Sequence, residues 1–347
     1  MVIMSDSLKV AFLEVGHGDS IVIIYPNGTT AAIIDTPNSK LTYDFLDQHG
    51  ITHVDWAIVS HGDSDHYKGI ASLVINLQNS GVAVSKIGYI RGDKRIQREN
   101  GYNKIRMQFK EFATLYDIIC VEPYSYFMKD SIACTSDVNL KCIYPYTADD
   151  VDAAGDEPND WSIVLILEHE NYRVLLPGDL EGKGWYRLKS KLAKIGTTLQ
   201  SDVFKLPHHG RWFDGGSEAL ALDEVINIVD TSYGIISAGY HDGRSCPSPE
   251  TIQALNKGKR FSRVLCTGSG KSCHDGNPLE YTPPGIILGK SSDGKSAPCA
   301  GTIIVEISKS GINIRPSQKD HEEVISKLKN PICLKATKIV PENLITT

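Results

Sequence analysis

The sequence predicts an α/β protein in which two β-sheets pack together with helices outside them. Three observations carry that expectation. Apolar, β-rich runs recur in two groups along the chain, each interleaved with stretches of helical periodicity. Several of these runs stop abruptly at acidic and imidazole residues rather than at ordinary turns. The chain has 347 residues, 41% apolar and 22% charged, which allows one large α/β domain or two ordinary ones around a sizeable core.

In chain order, LKVAFLEV (8–15) and SIVIIYP (20–26) read as strands bracketing GHGD (16–19), a glycine-containing hairpin turn. TAAIIDTP (30–37) is a third strand ending at Asp35. KLTYDFLDQHG reads as a helix closed by Gly50, and VDWAIVS (54–60) as a mostly apolar, buried strand. HGDSDH (61–66) sits where that strand ends, and YKGIASLVINLQ continues as a helix. Residues 91–119 read as helical, polar first and then apolar, and an irregular segment with the acidic loop DDVDAAGDEPND (149–160) follows. Strand signals return in WSIVLILEH and YRVLLPGD, then a helix in GWYRLKSKLAKIG. DVFKLPHHG, YGIISAG, GTIIVEIS and GINIRP are further strands, with the helix PSPETIQALNKG among them and DHEEVISKLKN late in the chain.

Composition narrows the function classes. No apolar run approaches the length needed to span a bilayer, and MVIMSDSLKV lacks the basic and apolar regions of a signal peptide. A cytoplasmic location without membrane association is the expectation. Eight cysteines are scattered through the chain and are expected as reduced thiols. The net charge of -6 argues against a general nucleic-acid coat while allowing a locally basic groove.

The densest chemistry lies in HGDSDH, where His61, Asp63, Asp65 and His66 crowd into six positions. Carboxylates this close repel unless a proton or cation stands between them. His61 and Asp63 fall on one side of an extended backbone, while Asp65 and His66 can turn toward a second point, so the cluster can serve two neighbouring cations. LLPGDLE places Asp179 just after one apolar strand, and FKLPHHG places His208 and His209 after another. Imidazole with carboxylate suits zinc, manganese or iron better than calcium. Two such ions about 3.5–4 Å apart hold a shared hydroxide near neutral pH and stabilise charge developing on a phosphoryl or carbonyl oxygen. The bland alternative for HGDSDH is a polar helix cap, with Asp63 or Ser64 at the N-cap and His61 solvated.

HGDSDH, GDLE and PHHG, in that order, resemble the metallo-β-lactamase superfamily. HxDxDH in place of the commoner HxHxDH is similar to the ComEC-type branch, the metallo-hydrolase domain of bacterial DNA-uptake proteins and their free-standing relatives. FLEVGHGDSIVI, IIDTP, NDWSIVLIL and ISAGYHDGRSCPSPETIQAL resemble further stretches of that branch, so the match runs from about residue 8 to 315. The resemblance implies an αββα four-layer sandwich with the site at strand ends, a hydrolase domain over 1–315, and a C-terminal helix and tail over 316–347. It implies that His61 and Asp63 hold one metal, that Asp65, His66 and one histidine of the PHHG pair hold the other, and that Asp179 bridges. His208 is favoured as the ligand, and His209 as a residue supporting the ligands or contacting phosphate, although the sequence does not settle which. Asp35 is expected as a buried acceptor orienting a ligating imidazole, with Asp19 in a similar role.

The activity implied is a phosphodiesterase or nuclease using two divalent metals, zinc first and manganese second, on nucleic acid or another phosphodiester. Asp65, His209 and His241 are the expected catalytic side chains, and Lys205, Asn159, Ser162, Ser237 and Cys246 the expected substrate contacts. A third histidine usual in the superfamily is absent near 158–162, where Asn159, Asp160 and Ser162 stand. The branch's usual GHP is here SCP, so Cys246 takes the place of a histidine, with His241 as one candidate substitute. Hydrolysis of a lactone, thioester or other carboxylic ester is a second reading, and a catalytically impaired binding protein, motivated by Cys246, a third. Residues 91–110 hold seven Lys or Arg against two acids, with Tyr102 among them, and read either as a basic arm for a phosphodiester strand or as an exposed helix face. Cys266, Cys273, His274 and Cys299 could make a small zinc site, but their spacing fits no standard zinc pattern, and buried or free thiols are the favoured reading of the cysteines. Oligomeric state is left open.

Overall fold

A computed structural model describes residues 7–90, 100–124, 130–133, 135–154, 157–241, 243, 245–257, 261–273, 285–287, 298–328 and 331–333. The first half supplies β1 (Leu8–Phe12), β2 (Ile21–Ile24), β3 (Thr30–Ile34), α1 (Ser39–Gln48), β4 (His53–Ile58), the single-turn α2 (Ser64–Tyr67), α3 (Ile70–Asn79), β5 (Ala83–Gly88), α4 (Asn100–Leu115) and β6 (Ile119–Val121). The second half supplies β7 (Asn139–Tyr144), α5 (Ala148–Ala154), β8 (Val164–His169), β9 (Tyr172–Leu176), α6 (Gly182–Ile195), β10 (Val203–Lys205), α7 (Leu222–Val229), β11 (Tyr233–Ile236), α8 (Pro249–Lys257) and β12 (Arg263–Cys266). The chain then adds β13 (Ile303–Ser308), β14 (Gly311–Arg315) and α9 (Gln318–Lys327).

The strands form two sheets, ordered β14-β13-β1-β2-β3-β4-β5-β6 and β12-β11-β10-β9-β8-β7. Side chains alternate between the faces of a strand, and here the alternation separates two cores. Leu165, Leu167, Val174 and Leu176 pack with the first sheet and with α1, α3 and α4, through residues such as Leu46, Leu73 and Phe109. Their neighbours Val164, Ile166 and Leu175 pack instead against Trp185 and Leu188 of α6, Val225 of α7 and Leu255 of α8. The layers are therefore helix, sheet, sheet, helix, which is the four-layer sandwich expected.

Strand direction positions the site. β3 to β6 run parallel, as do β9 to β12. Parallel strands covered on both faces need near-continuous apolar runs, and β4 has five buried residues in a row after His53. The carboxyl ends of β3 and β4 in one sheet, and of β9, β10 and β11 in the other, each lead into a polar segment. Gly178, at φ 57, stands just after β9, where an added Cβ would lie 3.1 Å from Ser60 and 3.2 Å from Ser162. The two sheets approach closely there, and a larger residue would force the strand ends apart.

Several elements escape the sequence pattern. β5 carries Ser85 and Lys86, and Lys86 is tolerated because its ammonium lies 3.8 Å from Asp55 and 5.0 Å from the Trp56 ring centroid. β7 falls in the stretch read as irregular, because only alternate residues of NLKCIY are buried. β12 and α7 were likewise not anticipated. In the basic 91–110 segment, residues 91–99 lie outside the described residues. Within α4, Tyr102 is buried and donates to the Ile90 carbonyl at 2.9 Å, so it packs rather than faces solvent. No helix among the described residues is long and apolar enough to cross a membrane.

Candidate metal centre

Asp35 follows β3 in the left-handed region, φ 59, with its carboxylate fully buried. That carboxylate accepts from the Ser60 N–H at 2.7 Å, the Ser60 hydroxyl at 2.6 Å and His66 Nδ1 at 2.8 Å. The Ser60 hydroxyl in turn lies 3.1 Å from His61 Nδ1. Both imidazoles are thus held through their Nδ1 edges, with Nε2 left to face elsewhere, and their rings lie 4.1 Å apart. Asp63 occupies the N-cap position of α2 but its side chain makes no capping hydrogen bond, which removes the bland reading of the motif.

The second sheet meets this turn with Asp179 and the PHHG pair. His208 and His209 both adopt left-handed backbone angles, φ 46 and 54, followed by Gly210 at φ 72. Such a run is costly for residues with a Cβ and persists only where the surroundings enforce it. It turns the two rings to different partners. His209 Nδ1 donates to the Ser237 carbonyl at 2.9 Å, and its Nε2 lies 3.2 Å from Asp179 Oδ2 and 3.4 Å from Asp65 Oδ2. His208 instead places Nδ1 2.5 Å from Glu181 Oε1 and its Nε2 3.8 Å from Asp179 Oδ2. The geometry therefore puts His209, rather than the favoured His208, at the meeting point, with His208 on its flank.

Two groups of potential ligand atoms result. Asp19, His66, Asp179 and His209 form one, and His17, Asp65 and His209 the other, with the atoms of each within 4.8 Å of one another. Asp19 reaches only the Nδ1 edges of His66 and His209, at 3.9 and 3.6 Å, and pairs with Lys205. It stands behind the rings. Lys205 has no exposed surface, and its ammonium also lies 3.0 Å from the Gly178 carbonyl and 3.5 Å from Asp179 Oδ1. The substrate contact expected of Lys205 is thus replaced by a buried counter-charge to Asp19 and Asp179.

The remaining donor set fits divalent cations. The Nε2 atoms of His61, His66 and His209 are buried without a hydrogen-bond partner. His66 Nε2 lies 3.3 Å from Asp179 Oδ2, and the two His209 contacts are 3.2 and 3.4 Å. Two ligands about 2.0 Å from a tetrahedral ion stand about 3.3 Å from each other, so these spacings are those of donors sharing an ion. The charge balance agrees. Asp19, Asp35, Asp65 and Asp179 face a single buried ammonium, Lys205, and such an excess is costly unless protons or cations offset it. Without cations the imidazoles take protons. Against the opposing effect of burial, Asp179 and Asp35 hold His66 well above its usual value, and Asp179 and Asp65 raise His209 to about 10. Burial likewise works against Asp65 and Asp179, yet contacts to His17 and His209 hold Asp65, and the charges of His209, His66 and Lys205 hold Asp179, well below the usual carboxylate range.

His17, read from the sequence as part of a turn, is the residue most clearly missed. Gly16 and Gly18 adopt φ 81 and 130 and bring its Nε2 to 3.2 Å from Asp65 Oδ2. Burial lowers His17 to about 4 and keeps it neutral. Its ring lies 4.6 Å from that of His209 and 4.9 Å from that of His241. His241 is exposed at the rim, Cys246 is buried, and Ser237 serves through its carbonyl. The Ser162 hydroxyl accepts from Asp179 N at 3.3 Å, and Asn159 Nδ2 lies 3.5 Å from His208 Nδ1. Glu181, two residues beyond Asp179, was also overlooked.

No family model matches the sequence. The chain is 23% identical over 288 residues to ComE operon protein 3 of Bacillus subtilis (strain 168), covering 76% of this chain and 32% of that protein, so it spans about a third of the relative's length. Among solved structures it is similar to the metallo-β-lactamase fold protein YhfI of Bacillus subtilis, with TM-score 0.45, 10% identity and coverage of 75% of this chain and 96% of that one. It is also similar to the short form of human tRNase Z, with TM-score 0.39, 11% identity and coverage of 76% and 92%. The similarity to ComE operon protein 3 accords with the motif resemblance.

Proposed function

We propose that the protein is a metal-dependent phosphodiesterase, with nucleic acid as the first substrate class. The observation that carries this reading is the set of buried, unpartnered imidazole nitrogens of His61, His66 and His209, with His66 spaced from Asp179, and His209 from Asp65 and Asp179, as co-ligands are. His61 with Asp63, and His66 with Asp65 and His209, would hold two divalent cations, with Asp179 between them. When bound, the cations supply Lewis-acid polarisation of a phosphoryl oxygen and a water acidified toward neutral pH. Zinc is the first choice for this nitrogen and oxygen set, and manganese the second.

The chain's own groups divide the remaining work. The Asp65 side chain is 20% exposed, so its carboxylate can orient an incoming water. The neutral His17 places its Nε2 3.2 Å from Asp65 Oδ2 and packs beside that carboxylate. Asp35 orients His66, and Lys205 offsets the charge of Asp179 from behind. His241, exposed beside His17, is the side chain placed to protonate a departing alkoxide where Cys246 replaces a histidine. The activity is assigned to residues 1–315.

The phosphodiester preference rests on the motif resemblance to the DNA-uptake branch. Metal-loaded protein is expected to cleave single-stranded DNA and bis-p-nitrophenyl phosphate, and His209→Ala to abolish both reactions. Lactone hydrolysis with neither phosphodiester cleaved would transfer the reading to carboxylic esters. Absence of any turnover with metal bound would make the protein a binding module.

A further inference from the structure

The loop joining β1 to β2 carries His17 into the metal centre, and the backbone around it leaves the ring little freedom. Asp19 N donates to the Asp65 carbonyl at 3.2 Å. A Cβ on Gly18 would strike that same carbonyl oxygen, and one on Gly239, beyond β11, would strike the Gly16 carbonyl carbon. The loop is thus pressed against the HGDSDH turn on one side and the segment after β11 on the other. Between them the His17 ring sits against those of His209 and His241, tilted to them by 51° and 50°.

Nothing in the chain satisfies this imidazole. Its side chain is only 10% exposed, and both ring nitrogens are buried without a hydrogen-bond partner among the described residues. Nε2 lies 3.2 Å from Asp65 Oδ2 but is not aligned for a hydrogen bond to it. His66 and His209 differ, since Asp35 and the Ser237 carbonyl take their Nδ1 edges. A buried imidazole with neither nitrogen paired is costly unless something from outside the chain binds it. The spacing identifies that binder. His17, Asp65 and His209 each bring one donor atom within 4.8 Å of the others, and Asp65 Oδ2 stands 3.2 Å from one imidazole nitrogen and 3.4 Å from the other. Those are the separations of donors sharing one ion.

We propose that His17 is a ligand, through Nε2, to the cation held by Asp65 and His209. The inference rests on the proposed metal centre and adds to its donor set an imidazole from the loop between the first two strands. The Nε2 lone pair forms the bond, and the ring proton stays on Nδ1. Two nitrogens and one oxygen are a donor type that suits a zinc-class divalent ion, which in catalytic sites keeps a further position open for water or substrate. Asp65, with its side chain 20% exposed, is the member of the three most open to solvent.

Cobalt titration of the metal-free, full-length protein against a competing chelator tests the assignment. Wild type is expected to take two equivalents. His17→Phe keeps an aromatic ring but no donor, and in it one of the two equivalents should bind at least about 100-fold more weakly, the other changing little. Such a loss exceeds the about 10- to 100-fold effect of removing a partner that merely supports a ligand. Cobalt also moves the proton resonances of its ligands far outside their normal range. At saturating cobalt, one shifted, exchangeable imidazole N–H signal of wild type should therefore vanish in His17→Phe, which loss of a space-filling histidine would not cause. His17→Leu serves the same comparison if the larger ring prevents folding. Unchanged affinity for both equivalents, with every shifted N–H signal retained in a folded variant, would overturn the ligand assignment and leave the metal centre standing. A wild type that takes up no cobalt would overturn the centre itself, and the role of His17 with it.

Discussion

Asp35 offers the sharpest test of how the site is held. Its buried carboxylate accepts from three donors, at 2.6, 2.7 and 2.8 Å. Asp35→Ala removes all three acceptor contacts. The Ser60 hydroxyl can turn toward His61 or toward His66 Nδ1, 3.4 Å away, but the Ser60 N–H is left buried and unpaired, at about 1–3 kcal/mol. Alanine at φ 59 adds about 1 kcal/mol of backbone cost. The expected loss is about 2–4 kcal/mol, a substantial share of a typical domain stability of about 5–15 kcal/mol. Asp35→Asn separates the site from the fold, because asparagine tolerates the left-handed backbone and keeps an oxygen for the Ser60 N–H. Its amide, however, donates to His66 Nδ1 and drives the ring proton onto Nε2, the atom that faces Asp179. Metal affinity should therefore fall about 10- to 100-fold in a folded protein. Urea unfolding checks the first number and competitive metal titration the second. A folded Asp35→Asn variant with wild-type metal affinity would refute the orientation argument.

Other consequences follow from the same geometry. His209→Ala should reduce metal affinity far more than His208→Ala, and a titration giving the reverse order would restore His208 as the central ligand. Gly18→Ala places a Cβ against the Asp65 carbonyl oxygen at φ 130, so thermal unfolding should report a loss of about 1–3 kcal/mol, together with weaker metal binding. Because His209 in the metal-free chain is raised to about 10 and His66 is also raised, cations must displace protons at neutral pH. Affinity should then rise with pH until the rings are neutral, and the calorimetric heat at pH 7 should vary with the ionisation enthalpy of the buffer; a buffer-independent heat would contradict it. Trp185→Ala in the second core should cost about 3–5 kcal/mol in unfolding experiments without altering metal affinity.

The long apolar runs made the parallel strands readable, because a strand covered on both faces has little freedom in composition. β5 and β7 were unreadable for the opposite reason: Lys86 and the alternating NLKCIY are admitted by neighbours that only the folded chain supplies. At the site, residues at strand ends could be singled out, and the fold brings His61, Asp65, His66, Asp179 and the PHHG pair together. Choosing between His208 and His209 required backbone angles, since adjacent identical side chains carry no local signal. His17 was hidden by the glycines around it, which supply a hairpin turn and a close approach equally well. Lys205 looked available to a ligand until its burial showed where its charge is used.

The donors come from both sheets: His61, Asp65 and His66 follow strands of one, and Asp179 and His209 follow strands of the other. Neither half therefore carries the whole donor set while it is separate. On the proposed reading a nascent chain completes its site only when the two layers have docked, and an ion would then act as a latch on that last event. Slow metal exchange would accordingly be limited by parting of the layers, and the rate at which the holoprotein surrenders its ions to a chelator would measure how often the sandwich opens.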